Sequence, residues 1–190
     1  KEVYEKLSNY DVCLLGPGLG QKNGTTKFVE QLLKKNPEIV IDGDGLNILS
    51  KIENWWEKID EEAVLTPHPG EMARLTGLTV DAIQADRINV AKQNAKKWSQ
   101  IVVLKGANTV IASSSGELMV SPFANPALAS AGTGDVLSGV ITGFIAQGLD
   151  NFDAACLGVY IHGLAGEMLK EKIGDAGILA SDLLSVIPKA

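Results

Sequence analysis

Short runs that are apolar at nearly every position recur through the first two thirds of this chain: Val12-Cys13-Leu14-Leu15, Ile39-Val40-Ile41, Ala63-Val64-Leu65 and Ile101-Val102-Val103-Leu104. Between them apolar residues return every three or four positions, the spacing of a helix with one buried face. The pattern predicts strands over 10–15, 38–41, 63–66 and 101–106. It predicts helices over 22–36, over 71–75 and over 80–98, and a short one ending at Lys51. Thr109 to Ala112 and Leu118 to Ser121 read as a hairpin turned at Ser114-Ser115-Gly116. The last third is helical: 134–147, 152–172, and a short piece from Ser181 capped by its own hydroxyl. Strands apolar on both faces, alternating with helices, imply a mostly parallel sheet covered on both sides, an α/β fold. No repeat, low-complexity tract or linker interrupts the pattern, so residues 1–190 are expected to form one domain.

Composition narrows the function classes. The chain has 190 residues, 45% hydrophobic and 21% charged, enough for one sizeable core. Its formal net charge is −6, with no basic cluster, which argues against a nucleic-acid partner. A polyanionic ligand would have to be held by local devices such as helix ends and single lysines. Cys13 and Cys156 sit in apolar runs without a C-x-x-C partner and read as buried thiols in a reducing compartment. No uncharged apolar run has the length of a bilayer span, and the opening Lys1-Glu2-Val3-Tyr4 is not a signal peptide, so a cytoplasmic protein with no membrane partner is expected.

The most informative stretch is Asn125 to Gly139, where small residues from Ala129 to Gly134 hand over to a helix. The first N–H groups of a helix have no partner inside it, and its dipole favours an anion there. Gly132 and Gly134 leave that end open, and Asp135 is a carboxylate set in an anion-attracting turn. It reads as a general base beside a bound phosphoryl group, or as an ordinary helix cap. Gly16-Pro17-Gly18-Leu19-Gly20 is a tight loop in which backbone can approach a ligand, without the third glycine of a dinucleotide fingerprint. Asp42, Asp44 and Asn47 put two carboxylates and an amide at a strand end. They could order a substrate or hold Mg²⁺ through water, or serve as turn and cap residues. His68 is fixed between two prolines, with Glu71 one turn later, and is a candidate ligand contact; His162, on an apolar helix, reads as structural. Lys105, in Lys105-Gly106-Ala107-Asn108-Thr109, could meet phosphate as a point charge. Gly16 to Gly20, Asp42 to Asn47, Pro67 to Glu71 and Lys105 to Thr109 all follow predicted strands, where α/β folds bind ligands.

Taken in order, Gly16 to Gly20, Asp42 to Asn47, Leu65 to Met72, Lys105 to Thr109 and Asn125 to Gly139 resemble the ADP/ATP-dependent NAD(P)H-hydrate dehydratases of the ribokinase-like superfamily. The resemblance runs from about Asp11 to Pro188. It implies a three-layer α/β/α fold with a mostly parallel central sheet. It also implies a metabolite-repair lyase that dehydrates the S epimer of hydrated NADH or NADPH at the expense of ADP or ATP. The ring hydroxyl is phosphorylated and phosphate is then expelled. Carried over by position, Asp135 corresponds to the base and Ala131 to Gly134, including Gly132 and Gly134, to the anion hole. Lys105, Gly106, Ala107, Asn108, Thr109 and Gly134 correspond to nucleotide contacts. Gly18, His68 and Asp135 correspond to contacts with the hydrated dinucleotide, to which Asn47 is added as a further candidate. His68 to Glu71 resembles the Asn-x-x-Glu element of related kinases, which makes Glu71 a candidate for holding Mg²⁺ through water. The implied partners are a hydrate epimerase domain, fused or separate, and further copies of the same chain. Two departures stand out. Gly43 occupies a position where Ala is expected, and the family's first segment, roughly a third of a domain of this class, has no counterpart before Lys1. The competing readings are a small-molecule kinase of the same superfamily that releases its phosphorylated product, and a nucleotide-binding module without catalysis.

Overall fold

The computed structural model describes residues 2–35 and 37–190. In chain order the elements are α1 (Glu2–Lys6), β1 (Cys13–Leu15), α2 (Asn23–Leu33), β2 (Ile39–Ile41), α3 (Asp44–Leu49), β3 (Val64–Leu65), α4 (Pro69–Thr76), α5 (Val80–Ala85), α6 (Arg87–Trp98), β4 (Ile101–Leu104), β5 (Val110–Ala112), β6 (Leu118–Val120), α7 (Thr133–Ile145), α8 (Asn151–Ile173) and α9 (Ala180–Val186). The six strands lie in sequence order; β1 to β4 are parallel, and β5 and β6 are antiparallel.

Strand side chains alternate between two cores, and this makes the three layers. Leu15, Ile39, Ile41, Leu65, Val102 and Leu104 point to one side, where α2, α3, α4, α5 and α6 bury Leu32, Leu46, Met72, Ile83 and Trp98 among others. Val40, Val64, Ile101, Val103 and Ile111 point to the other, against Leu137, Ile141 and Ile145 of α7 and Ala154, Ala155 and Val159 of α8. Each internal strand is therefore apolar at consecutive positions, as a sheet buried on both faces requires. A third cluster, with Ala165, Leu169, Leu183 and Val186, seats α9 on the second half of α8.

Two expectations from the sequence are corrected. The helix expected over 80–98 is two helices. Asp86 leaves helical geometry (φ −147°, ψ 58°), and its carboxylate accepts the Asn89 backbone N–H and side-chain amide, which restarts the chain as α6. Apolar spacing continues across that break, so periodicity alone could not show it. The last helix begins at Ala180, with Ser181 already inside it. Its first turn is capped by Asp182, whose Oδ2 accepts the Leu179 N–H at 2.9 Å. The expected hairpin is present as β5 and β6, but Leu118 and Val120 of β6 are exposed. Among the described residues β1 pairs only with β2 and forms one edge of the sheet.

Candidate active site

The carboxyl ends of β1 to β4 deliver one residue group each to the same rim. After β1, Gly16 lies so close to the exit of β2 that a Cβ would fall 1.8 Å from the Asp42 carbonyl oxygen, so only glycine fits. The Asp42 N–H continues the ladder to Leu15, Thr66 N–H to Ile41, and Lys105 N–H to Pro67. This ladder brings residues 63 positions apart into contact. The Lys105 ammonium donates to Asp42 Oδ1 at 2.6 Å and stands 3.8 Å from Glu71 Oε2. Asp42 and Glu71 are both buried, so each carboxylate requires a compensating partner, which this lysine supplies.

The rim and the start of α7 meet at Lys105. A Cβ on Gly134 would lie 3.3 Å from Lys105 Nζ, so the ammonium sits against the first turn of the helix. Two sources of positive potential, the first turn of α7 and the lysine, thus meet at Gly134; Gly132 stands outside the cavity lining, and a Cβ there would lie 3.2 Å from the Ala180 Cβ. Gly132, the N-cap, has φ +86°, a left-handed conformation natural to glycine. Thr133 pins the turn through its hydroxyl, which faces the Leu128 and Ser130 carbonyls at 2.6 and 2.8 Å. From behind, the His162 ring donates through Nε2 to the Thr133 carbonyl at 3.0 Å; burial lowers its pKa to about 4, so it is neutral there. That hydrogen bond is the kind of contact a structural His162 makes, although the ring also lines the cavity.

Beside this spot opens a cavity of about 620 Å³. Lys105, Gly134 and His68 line it, as do the apolar side chains of Phe123, Leu128 and Val159. Gly106, Ala107 and Thr109 also line it. Asn108 stands behind them, its side-chain amide donating to the Ser121 carbonyl and its backbone N–H to Phe123. His68 caps α4: Nδ1 accepts the Gly70 and Glu71 N–H groups, and Glu71 Oε2 accepts the His68 N–H at 2.8 Å. Nδ1 is therefore an acceptor and the ring proton lies on Nε2, 3.5 Å from Glu71 Oε1. Burial, then the Lys105 and Arg74 charges, lowers the pKa of His68, while burial raises that of Glu71 against the pull of Lys105.

The remaining candidates are arranged differently. Asp44 is a loop clamp: its Oδ2 and Oδ1 accept the Gly20 N–H and the Gln21 amide at 2.8 and 2.7 Å. Gly18 (φ +65°) is open, with nothing within 4 Å of a Cβ position. Asn47 Oδ1 is buried with no donor among the described residues. Asp135 is exposed, stands outside the cavity lining, and has no side-chain hydrogen bond or ion pair among the described residues. Helix geometry explains this, because Thr133 and Leu137 face the cavity and a residue two positions on from Thr133 is turned by about 200°. Pattern reading missed the apolar wall of Phe123 and Leu128, whose only signal was their position just before the glycine turn.

A family model for NAD(P)H-hydrate dehydratase matches residues 1–189. The chain belongs to the NAD(P)H-hydrate dehydratase family. Its sequence is 43% identical over 187 residues to a bifunctional NAD(P)H-hydrate repair enzyme of Moorella thermoacetica, covering 98% of this chain and 35% of that protein. It is 38% identical to an ADP-dependent (S)-NAD(P)H-hydrate dehydratase of Neisseria meningitidis, over 94% of this chain and 62% of that one. The chain thus spans about a third of the length of the bifunctional relatives. Its fold matches the ADP/ATP-dependent NAD(P)H-hydrate dehydratase of Bacillus subtilis, crystallised with ATP and Mg²⁺, at a TM-score of 0.86 and 32% identity, over 98% of this chain and 68% of that one. A hydroxyethylthiazole kinase of Pyrococcus horikoshii matches at a TM-score of 0.82 with 16% identity, a likeness of fold alone.

Proposed function

We propose that this chain carries the phosphoryl-transfer centre of a nucleotide-dependent (S)-NAD(P)H-hydrate dehydratase. One observation carries the reading: a lysine held by two buried carboxylates stands against the first turn of α7 in the lining of a nucleotide-sized cavity. In this reading ADP or ATP lies in the cavity, its nucleoside toward Phe123 and Leu128 and its terminal phosphate at Gly132 to Gly134. Lys105 and the first N–H groups of α7 stabilise the charge on the transferring group. The hydrated nicotinamide approaches from the open side near Gly18, Asn47 and His68. Asp135, on the helix face turned away from the cavity, removes the proton of the ring hydroxyl as its oxygen takes the phosphoryl group. Phosphate then leaves with the C–O bond pair while the adjacent ring carbon gives up a proton to solvent or to the departing phosphate, so that its C–H pair becomes the ring double bond; the nucleotide is left one phosphoryl group shorter.

Mg²⁺ fits the donors present. Asp42 and Glu71 offer hard oxygens, but Lys105 engages one oxygen of Asp42 and the His68 N–H one of Glu71. Among the described residues no group of three or more His, Cys, Asp or Glu side chains forms a cage. An ion here would be held chiefly by phosphate and water, with Asp42 and Glu71 as outer partners, and would neutralise phosphate charge. An epimerase domain and a homo-oligomeric assembly belong to the same proposal.

The test is to incubate the intact protein with hydrated NADH and ADP or ATP and follow the return of NADH absorbance. Asp135→Asn is expected to lower turnover by about 10²–10⁴-fold while nucleotide affinity holds; full activity in that variant would remove the assigned base. A small-molecule kinase is the second reading. The identity to repair enzymes, against fold likeness alone to a kinase, favours the first. Accumulation of a phosphorylated alcohol with no NADH recovery would reverse that preference.

A further inference from the structure

We infer that Asn125 is a nucleoside-binding residue, donating a hydrogen bond from its side-chain amide to a ribose oxygen or base ring nitrogen of the nucleotide in the cavity. The inference rests on the nucleotide reading of that cavity. Asn125 precedes a 3₁₀ turn over Pro126–Ala129 and lines the cavity wall. Its Oδ1 accepts the Ala127 backbone N–H at 2.9 Å, which fixes the orientation of the amide: oxygen toward the backbone, nitrogen away from it. Nδ2 is then buried and has no acceptor among the described residues. A buried amide donor left without an acceptor is costly, so a native structure that keeps one calls for a partner.

Neighbouring polar groups of the wall are differently placed. The Thr109 hydroxyl donates to Gly106, the Ser130 hydroxyl to Ala127, and the His162 ring to Thr133. Each is committed to a carbonyl. The Asn125 amide, by contrast, has two N–H bonds and no acceptor for either. Phosphate is served by other groups, Lys105 and the start of α7. Around Asn125 the wall is apolar, with Phe123, Pro126 and Leu128, a setting suited to a sugar or a base.

The test measures binding of ADP and of adenosine to the intact protein by titration calorimetry, for the wild type, Asn125→Asp and Asn125→Ser. Asp keeps the acceptor for the Ala127 N–H and removes the donor, at the cost of a charge where the amide nitrogen was buried; Ser removes the donor without adding a charge. About tenfold weaker adenosine and ADP binding is expected in both variants, with a fall in unfolding temperature confined to Asp. Unchanged adenosine affinity overturns the inference, even if ADP binds less well, because a loss confined to ADP is charge repulsion on phosphate. Should the Asp variant fail to fold, Asn125→Ser decides by the same adenosine criterion, since serine keeps a short acceptor and lacks the amide. A wild type that binds neither ligand rejects the nucleotide reading itself, and the role of Asn125 with it; that outcome is seen before any variant is made.

Discussion

Lys105 has two separable duties, neutralising buried carboxylates and meeting phosphate. Replacing it with Met would strand Asp42, which is 1% exposed, and Glu71, which is 5% exposed, without their cation. Breaking such a pair by removing one partner costs about 3 kcal/mol or more. The double variant Lys105→Met/Asp42→Asn is therefore expected to regain much of the stability lost in Lys105→Met, as read by urea unfolding. Its ADP affinity should stay as poor as that of the single variant, because neither change returns the phosphate contact. Gly134→Ala probes the same spot from the helix side. A Cβ 3.3 Å from the ammonium displaces it slightly, while alanine at this first-turn position, which has no positive φ, stabilises by about 0.4–1 kcal/mol by reducing the entropy of the unfolded chain. The expected outcome is unchanged or raised thermal stability with weaker ADP binding. The members of this cluster were legible individually in the sequence, each at a strand end. Their pairing was not, since Asp42 and Lys105 are 63 residues apart and only the parallel ladder through β2, β3 and β4 aligns them.

At the scale of elements, α7 is the part the sequence described best. Its glycine turn, its start near Gly134 and its apolar face followed from residue type and spacing. The direction of Asp135 did not, because it depends on which side of the helix the cavity lies, and Thr133 and Leu137 decide that through contacts with other elements. The break at Asp86 was hidden for a related reason: apolar spacing resumes in phase across it, and only the capping geometry of the carboxylate reveals two helices. The link between α7 and α8 through His162 makes a prediction of its own. The native ring stays neutral down to about pH 4, while in the unfolded chain it takes up a proton near pH 6.5. A lowered pKa means stability is fully present above the unfolded value and falls as pH drops from about 6.5 toward 4, by up to about 3 kcal/mol in all. His162→Gln keeps a donor for the Thr133 carbonyl and removes the titration. Its unfolding free energy should lose that part of the slope between pH 6.5 and 4, which urea titrations at stepped pH would measure.

For the whole molecule, the charge balance sets a constraint on how a nucleotide arrives. The chain carries a formal net charge of −6, and even at the rim the Lys105 ammonium is shared between two carboxylates. The attraction for phosphate is therefore short-ranged, from one ammonium and one helix end, while the long-range field repels. Salt screens these unequally: the Debye length is about 30 Å at 0.01 M ionic strength and about 8 Å at 0.15 M, so distant repulsion is removed before close attraction. Association of ADP should accordingly speed up, by a few fold, over that range, the reverse of a phosphate site on a basic protein. Stopped-flow binding of a fluorescent ADP analogue at stepped salt would read this directly. A rate that falls with salt would mean a positive field reaches well beyond the mouth of the cavity. Lys105 and α7 alone could not then account for phosphate capture, and further basic groups would have to face the incoming nucleotide.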